Sequence, residues 1–271
     1  MNKALIPVEM TLASNIALRY ACQKSEILGI GLQPIHIEEP DHKAHSSETG
    51  WIRKSWESGL KQAGMDQVRQ ILLNEDLDCF IMPNPIVEVG DREDILLQEL
   101  RLGDYDLFVE GEISNFNTGE FRKKLRSKLY RKMPCPALVV KNIIKSNRMA
   151  IVVDSRTDLE SVVDQLCGVL QQRKIDFDLC VYSLDDFSHE LQPEDIIGKA
   201  KALLAKRGQV PKRAFTLLTA PEKAALEFHE YGMIVSAVDR NSTRKSPLVE
   251  VLARVSCPLL LCWTYTSGRS K

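Results

Sequence analysis

The sequence has no long hydrophobic run, and no stretch approaches the roughly 20 apolar residues that span a bilayer. Its first residues lead directly into an apolar strand pattern and lack the apolar segment and cleavage site of a signal peptide. We therefore expect a cytoplasmic protein without membrane insertion.

An excess of charge of either sign is also lacking, since 36 lysine and arginine residues stand against 37 aspartate and glutamate residues. This balance gives no general reason to expect nucleic acid or an anionic membrane as a partner. At 271 residues, of which 44% are hydrophobic, the chain contains enough apolar material for two globular cores.

Motifs for catalysis and metal binding are missing too. The sequence has no G-x-S-x-G nucleophile elbow and no P-loop, so nucleophilic catalysis finds no support. Its seven cysteines show no C-x-x-C spacing, which favours buried reduced thiols over a disulfide framework or a zinc site. His42 and His45 lie in a polar stretch that favours a solvated loop over a metal site. Whether the chain is an enzyme stays open, with a non-catalytic role favoured.

The chain does contain a pattern that occurs twice. An apolar strand ending in an acid opens each half, at 4–9 and 150–154, and a Cys-Pro pair introduces the last apolar run, at 135–140 and 257–263. Repetition with so long a period predicts two copies of one domain rather than a solenoid of short repeats.

Strand and helix patterns alternate through both copies, which we place at 1–144 and 145–271. Apolar residues at helical spacing predict one helix at 120–132. This alternation predicts α/β domains with doubly wound, five-stranded parallel sheets, and any ligand site then lies at the carboxyl ends of the strands. Short apolar runs predict the strands at 4–8, 31–37, 79–87, 105–109 and 137–141, and at 149–153, 177–182, 214–218, 233–238 and 259–263. Pro83 and Pro85 should break or bend the third of these strands, because proline has no amide hydrogen to donate.

Four features resemble a tandem universal stress protein: the strand-end acids, Val-Glu-Val-Gly-Asp at 87–91, an Asp-Leu fourth strand at 106–111, and Cys-Pro before the last strand. The resemblance covers nearly all of the chain. It implies two domains related by a pseudo-twofold axis, with their last strands paired antiparallel so that neither edge is left open. Residues 137–141 should therefore pair with 259–263. A homodimer beyond this internal pair stays open.

The resemblance also implies a place for a nucleotide. ATP-binding members of the family hold phosphate with a glycine-rich loop after the fourth strand, where backbone amides and a helix start face the phosphates. An acid after the first strand and the backbone at the end of the second strand hold the nucleoside. ATP or AMP is thus a candidate cofactor, and its candidate contacts are Glu9, Ile37, Gly111, Ser114, Asp154, Ser236 and Ser246.

The chain departs from that glycine pattern in both halves. Ser114 takes the second glycine position of the first half, and Lys123-Lys124 stands where Gly-Ser is expected. Ser236 and Asp239 take the glycine positions of the second half, where a carboxylate would repel a triphosphate. These departures favour a chain with no ordinary ATP site.

Three of the candidate residues have a second interpretation. Glu9 and Asp154 could accept backbone amides of the following turn and cap the next helix. Gly111 could serve a tight turn that needs a positive φ.

The predicted helix at 120–132 is unusually basic. Lys123, Lys124 and Arg126 are candidates for binding a small anion, an acidic protein or a nucleic acid. The alternative is a solvated helix face.

Three functions follow as hypotheses. The first is a tandem universal stress protein that acts in the stress response as a non-catalytic regulatory module. The second is an ATP- or AMP-binding sensor with weak ATPase activity in one half, and the third is an anion or nucleic-acid binder through the basic helix.

Overall fold

The computed structural model describes residues 1–39, 51–75, 77–112, 117–171, 173–184, 192–240 and 246–264. Strands and helices alternate through both halves. The first half contains β1 Asn2–Pro7, α1 Leu12–Leu28, β2 Ile30–Glu38, α2 Trp51–Glu75, β3 Ile86–Val89, α3 Arg92–Leu102, β4 Leu107–Gly111, α4 Thr118–Leu125, α5 Lys128–Lys132 and β5 Ala137–Val140. The second half contains β6 Met149–Val153, α6 Leu159–Leu170, β7 Phe177–Ser183, α7 Pro193–Lys206, β8 Arg213–Leu218, α8 Pro221–Glu227, β9 Met233–Asp239, α9 Pro247–Arg254 and β10 Leu259–Thr264.

The strands form one ten-stranded sheet in the order β3-β2-β1-β4-β5-β10-β9-β6-β7-β8. All strand pairs within either half are parallel, and β5 pairs with β10 antiparallel. Read from the centre outward, the strand order of one half repeats that of the other. This arrangement confirms the predicted fold of two tandem doubly wound units with a pseudo-twofold axis.

The axis passes through the β5–β10 pair. Leu138 faces Leu260, and both residues are completely buried. They are equivalent positions of the two copies, each three residues after the cysteine of its Cys-Pro pair. The predicted pairing of 137–141 with 259–263 is confirmed as an internal pseudo-dimer.

Side chains at a further pair of equivalent positions cross this junction. The Nε1 of Trp263 donates to the carbonyl oxygen of Cys135 at 2.6 Å, and its ring meets Tyr130 edge to face. Lys141, the corresponding residue of the first half, lies beside α9 of the second half. Its Nζ donates to three carbonyl oxygens at the end of that helix, those of Leu252, Ala253 and Val255, at 2.8, 3.0 and 3.3 Å.

The central strands are apolar on both faces. β5, β6 and β10 are buried at every position, as expected where helices cover both sides of a parallel sheet. Two apolar clusters, one on each face, run through both halves of the sheet. None of the described helices is long and apolar enough to cross a membrane.

The predicted third strand at 79–87 is wrong in its bounds, but its predicted break at Pro83 and Pro85 is present. β3 covers Ile86–Val89, and Ile81 forms an isolated bridge with Leu32. Pro83 and Pro85 lie between the two pairings, and proline has no amide hydrogen to donate to a strand partner.

The single predicted helix at 120–132 is also wrong. The segment forms two helices, α4 and α5, separated at Arg126 and Ser127. Ser127 has extended backbone angles, and its hydroxyl accepts a hydrogen bond from the amide of Tyr130, which makes it the N-cap of α5.

The expectation that all cysteines are reduced needs correction. Cys22 of α1 and Cys79 form a disulfide with a Cα–Cα distance of 5.3 Å. The remaining five cysteines are free thiols, and burial raises the pKa of four of them to about 12: Cys135, Cys180, Cys257 and Cys262. His42 and His45 lie outside the described residues.

Candidate functional site

The carboxyl ends of β1 and β4 lie side by side because these strands pair in parallel. Glu9 follows β1, and Glu110 lies near the end of β4. Arg92, the first residue of α3, connects the two carboxylates. Its Nε donates to Oε1 of Glu9 at 3.1 Å, and its Nη2 donates to Oε1 of Glu110 at 3.0 Å.

Lys124, near the end of α4, adds a second cation on the other side of Glu110. Its Nζ lies 3.1 Å from Oε2 of Glu110 and 2.7 Å from Oε2 of Glu112. The hydroxyl of Tyr130 donates to Oε2 of Glu110 at 2.7 Å. We call these six residues the strand-end network: Glu9, Arg92, Glu110, Glu112, Lys124 and Tyr130.

Glu110 is the centre of the strand-end network, and its side chain is 11% exposed. Burial alone would raise its pKa, but the charges of Lys124 and Arg92 and the Tyr130 hydrogen bond lower the pKa below its ordinary value. Burial and the Glu110 carboxylate raise the pKa of Tyr130, so this hydroxyl remains a donor. The network thus holds three carboxylates against two cations, and both cations are paired within it.

Gly111 ends β4 beside the start of α1. A Cβ at this position would lie 1.9 Å from the carbonyl oxygen of Ala13, so a larger residue would collide with the backbone of the helix. Its φ is not among the positive values found at Gly29, Gly90 and Gly208. The need for glycine at 111 is therefore close packing, and the interpretation as a turn with positive φ is wrong.

The other nucleotide candidates of the first half are less informative. Ile37 lies in β2, paired in register with Glu88 of β3, and its side chain packs against one of the two core clusters. Ser114 lies outside the described residues.

The two strand-end acids differ in their contacts. Oδ1 of Asp154 accepts hydrogen bonds from the amide of Arg156 at 3.0 Å and from the hydroxyl of Thr157 at 2.8 Å. Asp154 therefore stabilises its own turn, whereas the Glu9 carboxylate is paired with Arg92. Neither acid caps the following helix, because Thr11 is the N-cap of α1 and Asp158 that of α6.

The serines of the second half are used within the fold. Ser236 lies inside β9 with no exposed surface, and its hydroxyl donates to the carbonyl oxygen of Val152 at 2.8 Å. Ser246 is the N-cap of α9 and accepts from the amide of Val249 at 3.4 Å. Asp239 is the last residue of β9 and pairs in register with Thr264. Asp154, Ser236 and Ser246 thus each have an intramolecular partner.

The three basic candidates are not equivalent. Lys123 and Arg126 are exposed, whereas Lys124 belongs to the strand-end network. Arg122 of the same helix pairs with Glu250 across the junction at 2.6 Å. Part of the positive charge that the sequence concentrates in 120–132 is therefore neutralised within the molecule.

Sequence reasoning missed Arg92, Glu110, Glu112 and Tyr130. Arg92 has one signal, since it follows directly on the 87–91 segment and opens a helix at the strand ends. Glu110 is the acid within the Asp-Leu strand pattern, but its partners come from three separate helices. Among the described residues, no group of three or more histidine, cysteine or acidic side chains could hold a metal ion.

No protein-family model matches the sequence, and no curated protein does. Among solved structures, a universal stress protein from Archaeoglobus fulgidus DSM 4304 matches 98% of this chain and 98% of its own, with a TM-score of 0.65 and 12% identity. A functionally unknown protein from Pseudomonas aeruginosa PAO1 matches 97% of this chain and 92% of its own, with a TM-score of 0.54 and 14% identity. The chain therefore has the universal stress protein fold over nearly its whole length.

Proposed function

We propose that the chain is a non-catalytic binding module of the universal stress protein type, built from domains 1–144 and 145–271, which acts in the stress response through other macromolecules. The observation that supports this proposal is the strand-end network. At the strand ends where a nucleotide is expected, Glu110 and Glu112 pair with the Lys124 ammonium, and Glu9 and Glu110 pair with the Arg92 guanidinium. The chain's own carboxylates take the place of a bound anion.

Electrostatics make a triphosphate a poor ligand for the strand-end network. The network carries one more carboxylate than cations, and Glu39 lies close by, accepting a hydrogen bond from the Arg92 amide at 3.2 Å. A triphosphate would have to displace at least two glutamates from their partners, and these would then face it with like charge.

The second candidate is a nucleotide sensor with weak ATPase activity in one half, because Asp154 after β6 and Ser246 at the start of α9 retain two residue types of the family's nucleotide pattern. A thermal-shift titration with ATP, AMP and magnesium separates the two functions. A ligand at a hundred times its dissociation constant stabilises the native state by about 2.7 kcal/mol, and we expect no such shift. Saturable stabilisation by ATP would favour the sensor and overturn a module without a nucleotide site.

A double variant tests whether the network itself excludes anions. Glu110→Gln with Glu112→Gln removes two carboxylates, which leaves Lys124 without a charged partner and Arg92 with Glu9 alone. We expect calorimetry to detect binding of AMP or inorganic phosphate to this variant and none to the wild type. Glu120→Gln, an exposed acid of the neighbouring helix α4, is the matched control and should behave like the wild type.

An anion or nucleic-acid binder through the basic helix is the third candidate, because Lys123 and Arg126 are exposed. Binding to a polyanion should then fall steeply with salt, and the salt dependence should weaken in the Lys123→Glu, Arg126→Glu variant. An unchanged slope rejects this candidate.

A further inference from the structure

The two ends of the ten-stranded sheet are different. β3, at one end, has four residues, follows Pro83 and Pro85, and carries Glu88, which pairs with Lys61 of α2. Short length, prolines and charge are features that keep an edge strand from pairing with another chain.

β8, at the other end, is longer and carries no charge after its first residue, although Pro211 and Lys212 precede it as Pro83 and Pro85 precede β3. It has six residues, Arg213 to Leu218, contains no proline, and its single charge is at its first position. The Arg213 guanidinium is already paired within the second half, because its Nη2 donates to Oδ2 of Asp178 at 2.7 Å. Within the described part of the chain, β7 is the one strand neighbour of β8.

A strand with one neighbour directs alternate amides and carbonyls away from the sheet, and these groups form a template for another strand. Apolar side chains surround this template. Phe215 and Leu217 are only partly buried against the helices of one face, and Leu218 is 50% exposed. A strand added at this edge would satisfy backbone groups and remove apolar surface from water at the same time.

We propose that β8 is a self-association surface, which pairs antiparallel with β8 of a second copy of this chain and extends the sheet across a twofold axis. The junction of β5 with β10 offers the precedent, since there the equivalent edge strands of two like domains pair around a twofold axis. With all six residues paired, Arg213 of each copy lies opposite Leu218 of the other, so the two arginines stay at opposite ends of the interface.

Charge does not oppose this dimer, because the formal net charge of the chain is −1. The β8 edge is several strands away from the strand-end network, so the two can be tested separately. A failure of one leaves the other unaffected.

The test measures the mass of the full-length protein in solution by sedimentation velocity across a concentration series. We expect the wild type to shift from monomer to dimer as its concentration rises. Thr216→Lys places a charge in the middle of the interface, and we expect it to raise the dissociation constant at least tenfold. Thr216→Val keeps the shape of the threonine side chain and adds no charge, so this variant should dimerise like the wild type.

A second measurement on the wild type does not depend on how well the variants fold. Hydrogen exchange of the β8 amides should slow as the protein concentration rises, while the β3 amides should exchange at a constant rate. A wild type that is monomeric throughout overturns the proposal. So does a dimer that Thr216→Lys leaves intact, or a dimer without added protection in β8.

Discussion

At the residue scale, the strand-end network shows what a local pattern can indicate. The acid after the first strand is visible in the sequence, and so is the glycine that ends the fourth strand. The partners of Glu110 are not, because Arg92 and Lys124 come from helices 18 residues before and 14 residues after it. Only the packing of those helices decides whether their cations meet a ligand or a glutamate.

Gly111 gives a prediction about space. In Gly111→Ala the new Cβ would overlap the carbonyl oxygen of Ala13, so β4 or α1 must shift, and we expect a loss of about 1–3 kcal/mol in the free energy of unfolding. Gly198 lies inside α7, where an added Cβ would meet nothing within 4 Å, so Gly198→Ala should stabilise by up to about 1 kcal/mol. Urea unfolding of both variants measures the contrast, and equal effects would contradict it.

Asp178 gives a prediction about pH. Burial would raise its pKa, but hydrogen bonds from Arg213, Tyr231 and Arg148 lower it to about 2 from an ordinary value of 3.8. The unfolded chain therefore takes up the proton first as the pH falls. The stabilising effect of the carboxylate is complete above about pH 4 and is lost as the pH approaches 2.

The Asp178→Asn variant should accordingly be less stable than the wild type near neutral pH by about 1–3 kcal/mol. The difference should shrink in acid, as measured by thermal unfolding between pH 2 and 7. Asp176→Asn, which breaks an exposed pair with Lys212, should change stability by less than about 1 kcal/mol. A difference independent of pH would refute the assigned role of the Asp178 carboxylate.

At the scale of elements, hydrophobic period predicted the kind and order of nearly every strand and helix. It failed where backbone chemistry interrupts a continuous apolar pattern. The stripe of Phe121, Leu125 and Leu129 runs across two helices without a gap, and the break at Ser127 comes from its side chain capping the second helix. The Cys22–Cys79 disulfide has no sequence signal either, since 57 residues separate its cysteines.

The break at Ser127 can be tested directly. Ser127→Ala removes the acceptor for the Tyr130 amide, so we expect a loss of about 1 kcal/mol in the free energy of unfolding. Ser127→Asn restores an acceptor and should stay near the wild-type value. Chemical denaturation provides the measurement, and an alanine variant as stable as the wild type would show that the cap is unimportant.

At the scale of the whole molecule, the two halves share one sheet and both of its faces. The resemblance predicted the junction of β5 with β10, because the last strand of each domain would otherwise leave an open sheet edge and the two last strands can pair with each other. It did not predict that Trp263 and Lys141 each contact the other half. In the sequence, both positions are simply the end of an apolar run.

Lys141 connects the halves through a helix end. Lys141→Met leaves three carbonyl oxygens of α9 without their donor, and we expect a loss of about 1–3 kcal/mol at neutral pH. Burial lowers the pKa of Lys141 to about 8 from 10.5, so between these values the unfolded chain binds the extra proton. The stability of the wild type relative to Lys141→Met should therefore rise over that window.

Lys145→Met serves as the matched control, because Lys145 is exposed and lies in the same connecting segment. It should have no measurable effect on the unfolding curve at any of these pH values. A Lys141→Met variant whose stability follows the wild type throughout the alkaline titration would contradict a buried, easily deprotonated ammonium.

The contacts of Lys141 and Trp263 across the junction also bear on how the two repeated domains hold together. Trp263 of the second half packs against Tyr130 and donates to Cys135 of the first, whereas Lys141 of the first half donates to the end of α9 in the second. The two copies therefore meet at equivalent positions through unlike side chains, so the halves are complementary at the junction rather than identical.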